Sequence, residues 1–103
     1  MLPPLDLVVL VTLSRTPDGT HGYDLLQIVR AEHGSAVATT SLYRTLRQLL
    51  GRGLVTEVAL EPEEDPRRRR YRVTDAGLAA AATERTRLAT LFASSPRLAG
   101  VPL

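Results

Sequence analysis

Thr39-Thr40-Ser41-Leu42-Tyr43-Arg44-Thr45-Leu46-Arg47-Gln48-Leu49-Leu50-Gly51-Arg52-Gly53, running straight into Leu54-Val55-Thr56, is the stretch that decides the fold. Hydroxyl residues at its start suit a helix N-cap, and Gly53 suits a helix stop. Leu42, Leu46, Leu49 and Leu50 recur at helical spacing and make one buried stripe. The other side carries Thr40, Tyr43, Arg44 and Arg47, and no acidic residue occurs between Thr39 and Gly53. A short helix with one apolar face and one face of arginine, hydroxyl and phenol is built to lie in a DNA major groove.

Downstream, Leu54 to Leu60 reads as a strand, and Arg69 to Thr74 as a second strand with Tyr71 and Val73 on one face. Glu61-Pro62-Glu63-Glu64-Asp65-Pro66 joins them as a hairpin tip, where two prolines break pairing. Upstream, Thr20 reads as the N-cap of a helix ending near His33, with Gly34 as its C-cap. Leu25, Ile28 and Val29, with the small Gly22 and Ala31, supply its packing side. Residues 34 to 38 make the turn into the first-quoted helix, and Arg15-Thr16-Pro17-Asp18-Gly19 is a loop of turn formers.

The segment Leu7-Val8-Val9-Leu10-Val11-Thr12-Leu13 is apolar on every side, so periodicity alone does not separate helix from buried strand. Its β-branched residues favour strand. Pro3 and Pro4 at the approach and Asp6 at the dipole's positive end favour helix, which is the expectation adopted. An all-round apolar helix has to be covered all round, and this hints at a second copy of the chain. Thr74 is expected to cap a last helix running to about Ser94. Its apolar positions Leu78, Ala81, Leu88, Leu91 and Phe92 are nearly heptad in spacing, interrupted by Arg85. Ser95-Pro96 ends it, and the tail to Leu103 is expected to be loose.

The order is helix, helix, helix, strand, hairpin tip, strand, helix. That is a mainly α chain with a small β-hairpin: a winged helix-turn-helix followed by a C-terminal dimerisation helix. At 103 residues it is one domain. Residues 1–74 form the DNA-binding part, 75–95 the dimerisation helix and 96–103 a flexible tail. The sequence shows no internal repeat and no low-complexity segment.

A net charge of +2 is a weak argument for nucleic acid, and distribution matters more. All 13 basic residues are arginine, concentrated in the quoted helix and between Arg67 and Arg72. Arginine suits bidentate contacts to phosphate and guanine. With no cysteine, disulfides, thiol catalysis and Cys-based metal sites are excluded. Met1-Leu2-Pro3-Pro4-Leu5-Asp6 lacks the basic start of a signal peptide, and the apolar run after it is too short to span a bilayer. A cytoplasmic protein without membrane contact is expected.

His21-Gly22-Tyr23-Asp24-Leu25-Leu26, then Ser41-Leu42-Tyr43-Arg44-Thr45-Leu46-Arg47-Gln48-Leu49, then Gly53-Leu54-Val55 resemble the PadR family of bacterial transcriptional regulators. The resemblance continues through Arg68-Arg69-Arg70-Tyr71-Arg72-Val73-Thr74-Asp75-Ala76-Gly77, similar to the family's basic-aromatic strand and Thr-x-x-Gly helix start. It runs from about residue 5 to 90, in order and spacing. It implies a dimeric repressor whose C-terminal helix packs on the partner subunit, often against its N-terminal helix. It also implies a small-molecule effector as a candidate further partner. The short final helix resembles the small class with a single C-terminal helix. Without tryptophan and with Phe92 as the single phenylalanine, an aromatic-walled pocket between subunits is not evident.

Arg44 and Arg47 project from one side of the recognition helix; each reads a base or grips a phosphate, and the sequence leaves that choice open. Thr39, Thr40 and Ser41 at the helix start are candidate phosphate contacts, and one of them is expected to act as the cap. Tyr43 is placed at the edge of the apolar stripe, as a phosphate contact or a half-buried packing group, and Tyr23 carries the same alternatives. Between Glu61 and Arg70 four acids face four arginines, so the wing is neutral overall and an acidic tip opposes DNA. Alternation puts Arg68, Arg70 and Arg72 on one strand face and Arg69 with Tyr71 on the other; Arg68 and Arg70 are the favoured wing contacts. Leu7, Leu10, Val11, Leu78, Ala81, Leu88, Leu91 and Phe92 are the candidate dimer contacts.

His21 is a candidate phosphate donor, and His33 suits the carbonyl end of its helix. No nucleophile, paired acid or metal-ligand constellation accompanies either, so no enzyme, metal or cofactor is expected. The expected function is a sequence-specific, dimeric DNA-binding regulator acting as a repressor on a pseudo-palindromic operator. The alternative is a winged-helix protein-interaction module with weak or no DNA binding, supported by the low net charge and the acidic wing tip.

Overall fold

A computed structural model describes residues 1–65 and 68–102. Pro66 and Arg67 of the expected wing, and Leu103 of the tail, lie outside the described residues. The elements follow in the order α1 (Pro4–Ser14), β1 (Thr20–His21), α2 (Gly22–His33), α3 (Thr39–Gly51), β2 (Val55–Glu57), β3 (Arg70–Val73), α4 (Asp75–Ala93) and α5 (Pro96–Ala99). This is the winged helix-turn-helix with a C-terminal helix.

The ambiguous first segment is a helix, opened by proline in its first turn with Asp6 beside it. It runs through the middle of the molecule and packs against α2, α3, α4 and β3. Val9, Leu10 and Leu13 are completely buried, joined in one core by Leu25, Val29, Leu42, Leu46, Leu49 and Val55. The chain therefore covers most of this apolar helix itself. Leu10, expected at a dimer contact, sits in the subunit's own core, because α1 is wrapped by three other helices. Leu7 is half-buried and Val11 is exposed, leaving a single strip uncovered.

Thr20 does not cap α2. It lies in β1, and its hydroxyl is 2.6 Å from that of Thr16, while the N-cap position falls to His21 without a side-chain capping bond. The missed strand arises from tertiary pairing: two residues carry too little pattern to read, yet they find an edge of β3. The sheet is three-stranded and antiparallel, in the order β1-β3-β2. Thr20 pairs with Tyr71 and His21 with Arg70, while Val55, Thr56 and Glu57 pair with Val73, Arg72 and Tyr71. Both hairpin strands are shorter than expected. β2 stops at Glu57, with one further bond from the Val58 amide to the Arg70 carbonyl at 2.9 Å.

The end of α3 is built as the sequence suggests. Gly53 has φ of 73°, and its amide donates to Leu50 O at 3.1 Å, while Leu54 N donates to Leu49 O at 3.0 Å. That pair of bonds is a Schellman closure, which needs a residue without a Cβ at the left-handed position. It turns the chain from the recognition helix directly into β2. Its start differs: the N-cap is Ala38, with no side-chain capping bond. Thr39, Thr40 and Ser41 all lie inside the first turn, so none of these hydroxyls is the cap.

Thr74 caps α4 as expected, accepting from the Gly77 amide at 3.0 Å while its own hydroxyl donates to Gly53 O at 2.7 Å. Only Gly77 and Glu84 are buried along the 19 residues of α4. The segment expected to be a loose tail contains α5, where Ser95 caps the Leu98 amide and Pro96 opens the first turn. With α4 reaching out of the body, the molecule measures 56 × 28 × 20 Å. Among the described residues, no helix is long and apolar enough to cross a membrane.

Candidate nucleic-acid interface

α3 is held by its own stripe. Leu42, Leu46 and Leu49 are at most 1% exposed, and Thr45 is buried beside them. This anchors the opposite face, where Thr39, Thr40, Arg44 and Arg47 are exposed and Ser41 is half-buried. Neither Arg44 nor Arg47 has a hydrogen-bond or ion-pair partner among the described residues. Two free guanidiniums about one turn apart, on a helix rigidly docked by its back, suit phosphate or guanine recognition.

Tyr43 packs against α2. A methyl group built on Gly22 would lie 2.9 Å from the Tyr43 hydroxyl oxygen and 3.0 Å from a ring carbon. The phenol thus rests directly on the first residue of α2, and only glycine leaves room for it. The half-buried ring ties the first turn of α2 to α3. Tyr23, by contrast, is 67% exposed.

Arg30 was not singled out from the sequence. Its Nε donates to Val37 O at 2.9 Å and its Nη2 to the Thr39 hydroxyl at 3.4 Å, so it braces the turn into α3. A lone arginine in the last turn of a helix carries no sequence signal for that task. Arg15 and Glu32 close a two-bond ion pair at 3.0 and 2.8 Å between the ends of α1 and α2. The Arg15 guanidinium holds the Glu32 carboxyl below the usual carboxylate range. Both are exposed, so solvent screens the pair and it adds little to stability.

In the wing, Arg68 is exposed and Arg70 half-buried, facing His21 across β1 and β3. Arg69 reaches Glu57 at 3.5 Å, so part of the arginine run is neutralised within the hairpin. Arg68, Arg70 and His21 share a hollow of about 450 Å³ with Glu63, Glu64 and Asp65, which brings the acids of the tip beside the basic residues. His21 also lies 3.6 Å from Asp24. Burial pushes the Tyr71 phenol up, with the Glu57 carboxylate adding to the shift. No group of three or more metal-ligating side chains occurs among the described residues.

Apart from the buried Leu10, the candidate dimer contacts fall into two places. Leu7, Val11, Leu78, Ala81 and Leu88 come together with Ala82 and Arg85 in an open apolar groove of about 410 Å³ between α1 and α4. Leu91 and Phe92, 55% and 56% exposed, lie further out on α4.

The family model of PadR-like transcriptional regulators matches residues 9–83, which includes α2, α3, the wing and the first half of α4. The chain belongs to this family. Membership makes it a DNA-binding transcriptional regulator of the PadR type and not an enzyme. Its fold is similar to that of a PadR family regulator from Clostridium difficile R20291, at 17% identity with a TM-score of 0.75, covering 95% of this chain and 100% of the other. A PadR-like regulator from Bacillus cereus ATCC 14579 is similar at 19% identity and a TM-score of 0.75, covering 95% and 93%. A PadR family regulator from Eggerthella lenta is 26% identical with a TM-score of 0.69, covering 91% and 82%. Among curated proteins, none matches the sequence significantly.

Proposed function

We propose that this PadR-family regulator is a dimeric, sequence-specific repressor that reads a pseudo-palindromic operator with two copies of α3. The observation that carries the reading is the pair of exposed guanidiniums of Arg44 and Arg47, without a partner among the described residues, on a helix whose reverse face is locked into the core. Arg44 and Arg47 supply the major-groove contacts; Thr39, Thr40 and Ser41 at the start of α3, and the exposed Tyr23, approach phosphates. Arg68 and Arg70 grip the backbone from the wing. In this reading residues 1–74 bind DNA, and the helix of residues 75–95 joins the subunits. The apolar groove of Leu7, Val11, Leu78, Ala81 and Leu88, with the bare Leu91 and Phe92, supports a second copy as the covering partner. Two recognition helices then enter successive major grooves one helical turn apart, about 34 Å.

The test is a titration of the chain against DNA from its own upstream region and control fragments at two salt concentrations. The expected result is tight binding to one palindromic fragment that weakens steeply with salt. Replacing both Arg44 and Arg47 by alanine is expected to lower that affinity by about 10- to 100-fold per base-reading arginine, with the circular dichroism unchanged. Undiminished operator affinity in the double variant would overturn the assignment of α3. The acidic wing tip favours a second reading, a protein-interaction module, which predicts weak binding that is equal on all fragments.

A further inference from the structure

α4 is attached to the body at two buried points that differ in chemistry. At Gly77 the helix backbone lies so close to the chain entering β2 and to the end of β3 that a built Cβ would collide with Leu54 O and fall 2.7 Å from a Val73 methyl. Seven residues on, roughly 10 Å along the helix, comes Glu84, which is 4% exposed. Its carboxylate accepts from the Leu2 backbone amide at 3.3 Å and from Arg87 Nε at 2.9 Å, with Arg87 Nη2 against the same oxygen. Leu2 is itself part of the buried core. After Glu84 no residue of α4 is buried.

A buried carboxylate is an expensive way to fill space on a helix otherwise rich in alanine, because the charge has to be desolvated. A leucine would pack at that point, but it would slide. The directional bond to a backbone amide fixes position. Two points on a rigid rod fix its direction, and the rod carries the groove and bare residues that the preceding section assigns to the partner copy. We propose that Glu84 is a positioning residue: together with Gly77 it sets the angle of α4 to the DNA-binding body, and through that angle the half-site spacing the dimer accepts. The spacing role rests on the dimeric reading given above. A pivot of about 10° carried across the roughly 34 Å between half-sites displaces a recognition helix by about 6 Å, close to two base-pair steps.

The chain has no cysteine, so labels can be introduced without background. Spin labels at Gln48→Cys on α3 and Thr90→Cys on α4, both exposed, report the angle inside one chain when labelled protein is diluted in excess unlabelled protein. Glu84→Ala is expected to broaden that distance distribution about twofold, while Glu84→Gln, which keeps an acceptor for the Leu2 amide, stays near wild type. On unlabelled protein, operators with spacers changed by one or two base pairs are expected to lose at least about 10-fold in affinity for wild type. For Glu84→Ala the expected loss is less than about 3-fold. Should Glu84→Ala lose its helical signal, Arg87→Ala takes its place and is expected to broaden the distribution beyond that of wild type and Glu84→Gln; an unbroadened Arg87→Ala then overturns the pin. An unchanged distance distribution in a folded Glu84→Ala chain overturns the pin. A broadened distribution with an unchanged spacing preference overturns the spacing role. A wild-type chain that sediments as a monomer, yet broadens on Glu84→Ala, overturns the dimeric reading and the spacing role while supporting the pin.

Discussion

α3 and α4 are both longer than ten residues, both carry leucines at helical spacing, and the chain treats them in opposite ways. α3 buries Leu42, Leu46 and Leu49 almost completely and turns a polar, arginine-bearing face to solvent. α4 buries a glycine and a glutamate, and leaves Leu78, Leu91 and Phe92 between 45% and 56% exposed. One helix is complete within its subunit and has chemistry to spare on its outside. The other has apolar surface to spare, and that surface is concentrated on the half of the helix that leaves the body. Leucine thus marks a core stripe in one place and exposed apolar surface in the other.

The contrast is broken most directly by equal truncations on the two helices. Leu46→Ala is expected to cost about 2–5 kcal/mol of unfolding free energy, read from urea denaturation. Leu91→Ala, at a chain concentration where the protein is monomeric, is expected to change it by less than about 0.5 kcal/mol. Equal costs would mean that the outer half of α4 is packed in the free subunit. The converse experiment reads association: Phe92→Ser is expected to weaken self-association by about 1.5–3 kcal/mol per buried side chain, seen by sedimentation, with the urea midpoint of the monomer unmoved.

Two glycines sharpen the comparison. Gly77→Ala forces a Cβ into Leu54 O and is expected to cost about 1–3 kcal/mol or more. Gly51→Ala, at the end of α3 where the built Cβ meets nothing within 4 Å, is expected to stabilise by at most about 1 kcal/mol. A destabilising Gly51→Ala would show that the end of α3 is more crowded than the packing describes.

The smallest expected effect is in pH dependence, where two buried carboxylates act with opposite sign. The Arg87 hydrogen bond holds the Glu84 carboxyl below its usual range, with help from the Leu2 amide. Its contribution is present above the ordinary glutamate value of about 4.3 and is lost as pH falls through the lower folded value. Burial pushes the Asp6 carboxyl up, opposed by Arg52 and its own backbone amide. Its protonation therefore favours the folded state, and that stabilisation is lost as pH rises through the raised folded value. Between pH 7 and pH 3, Glu84→Gln is expected to flatten the acid loss of stability and Asp6→Asn to steepen it. An acid loss that is not flattened in Glu84→Gln, or not steepened in Asp6→Asn, would refute the corresponding assignment.

The parts legible in the sequence were those with local chemistry: the stripe and Schellman end of α3, the Thr74 cap of α4, and the Tyr71 and Val73 face of β3. The two faces of α3 could be read because arginine and leucine alternate there at helical spacing. Three features could not. β1 is only two residues long and exists through pairing with β3. The hydroxyls of Thr39, Thr40 and Ser41 match a cap signature, but the chain enters α3 one residue early, at Ala38. Arg30 acts through a turn whose path depends on how α2 and α3 dock.

What the sequence by itself determined was the order of the four main helices and the two hairpin strands, the two faces of α3 and the family pattern, because these rest on periodicity, caps and turn residues acting over a few neighbours. What only the tertiary structure decided was which apolar residues the subunit keeps for itself. Leu10 and Val11 are adjacent and equally apolar, yet Leu10 is fully buried and Val11 is 49% exposed. Glu84 is a charged residue between Thr83 and Arg85, yet it is buried against Leu2, 82 positions away. Burial is set by what lies across the gap, and that neighbour is supplied by distant parts of the chain.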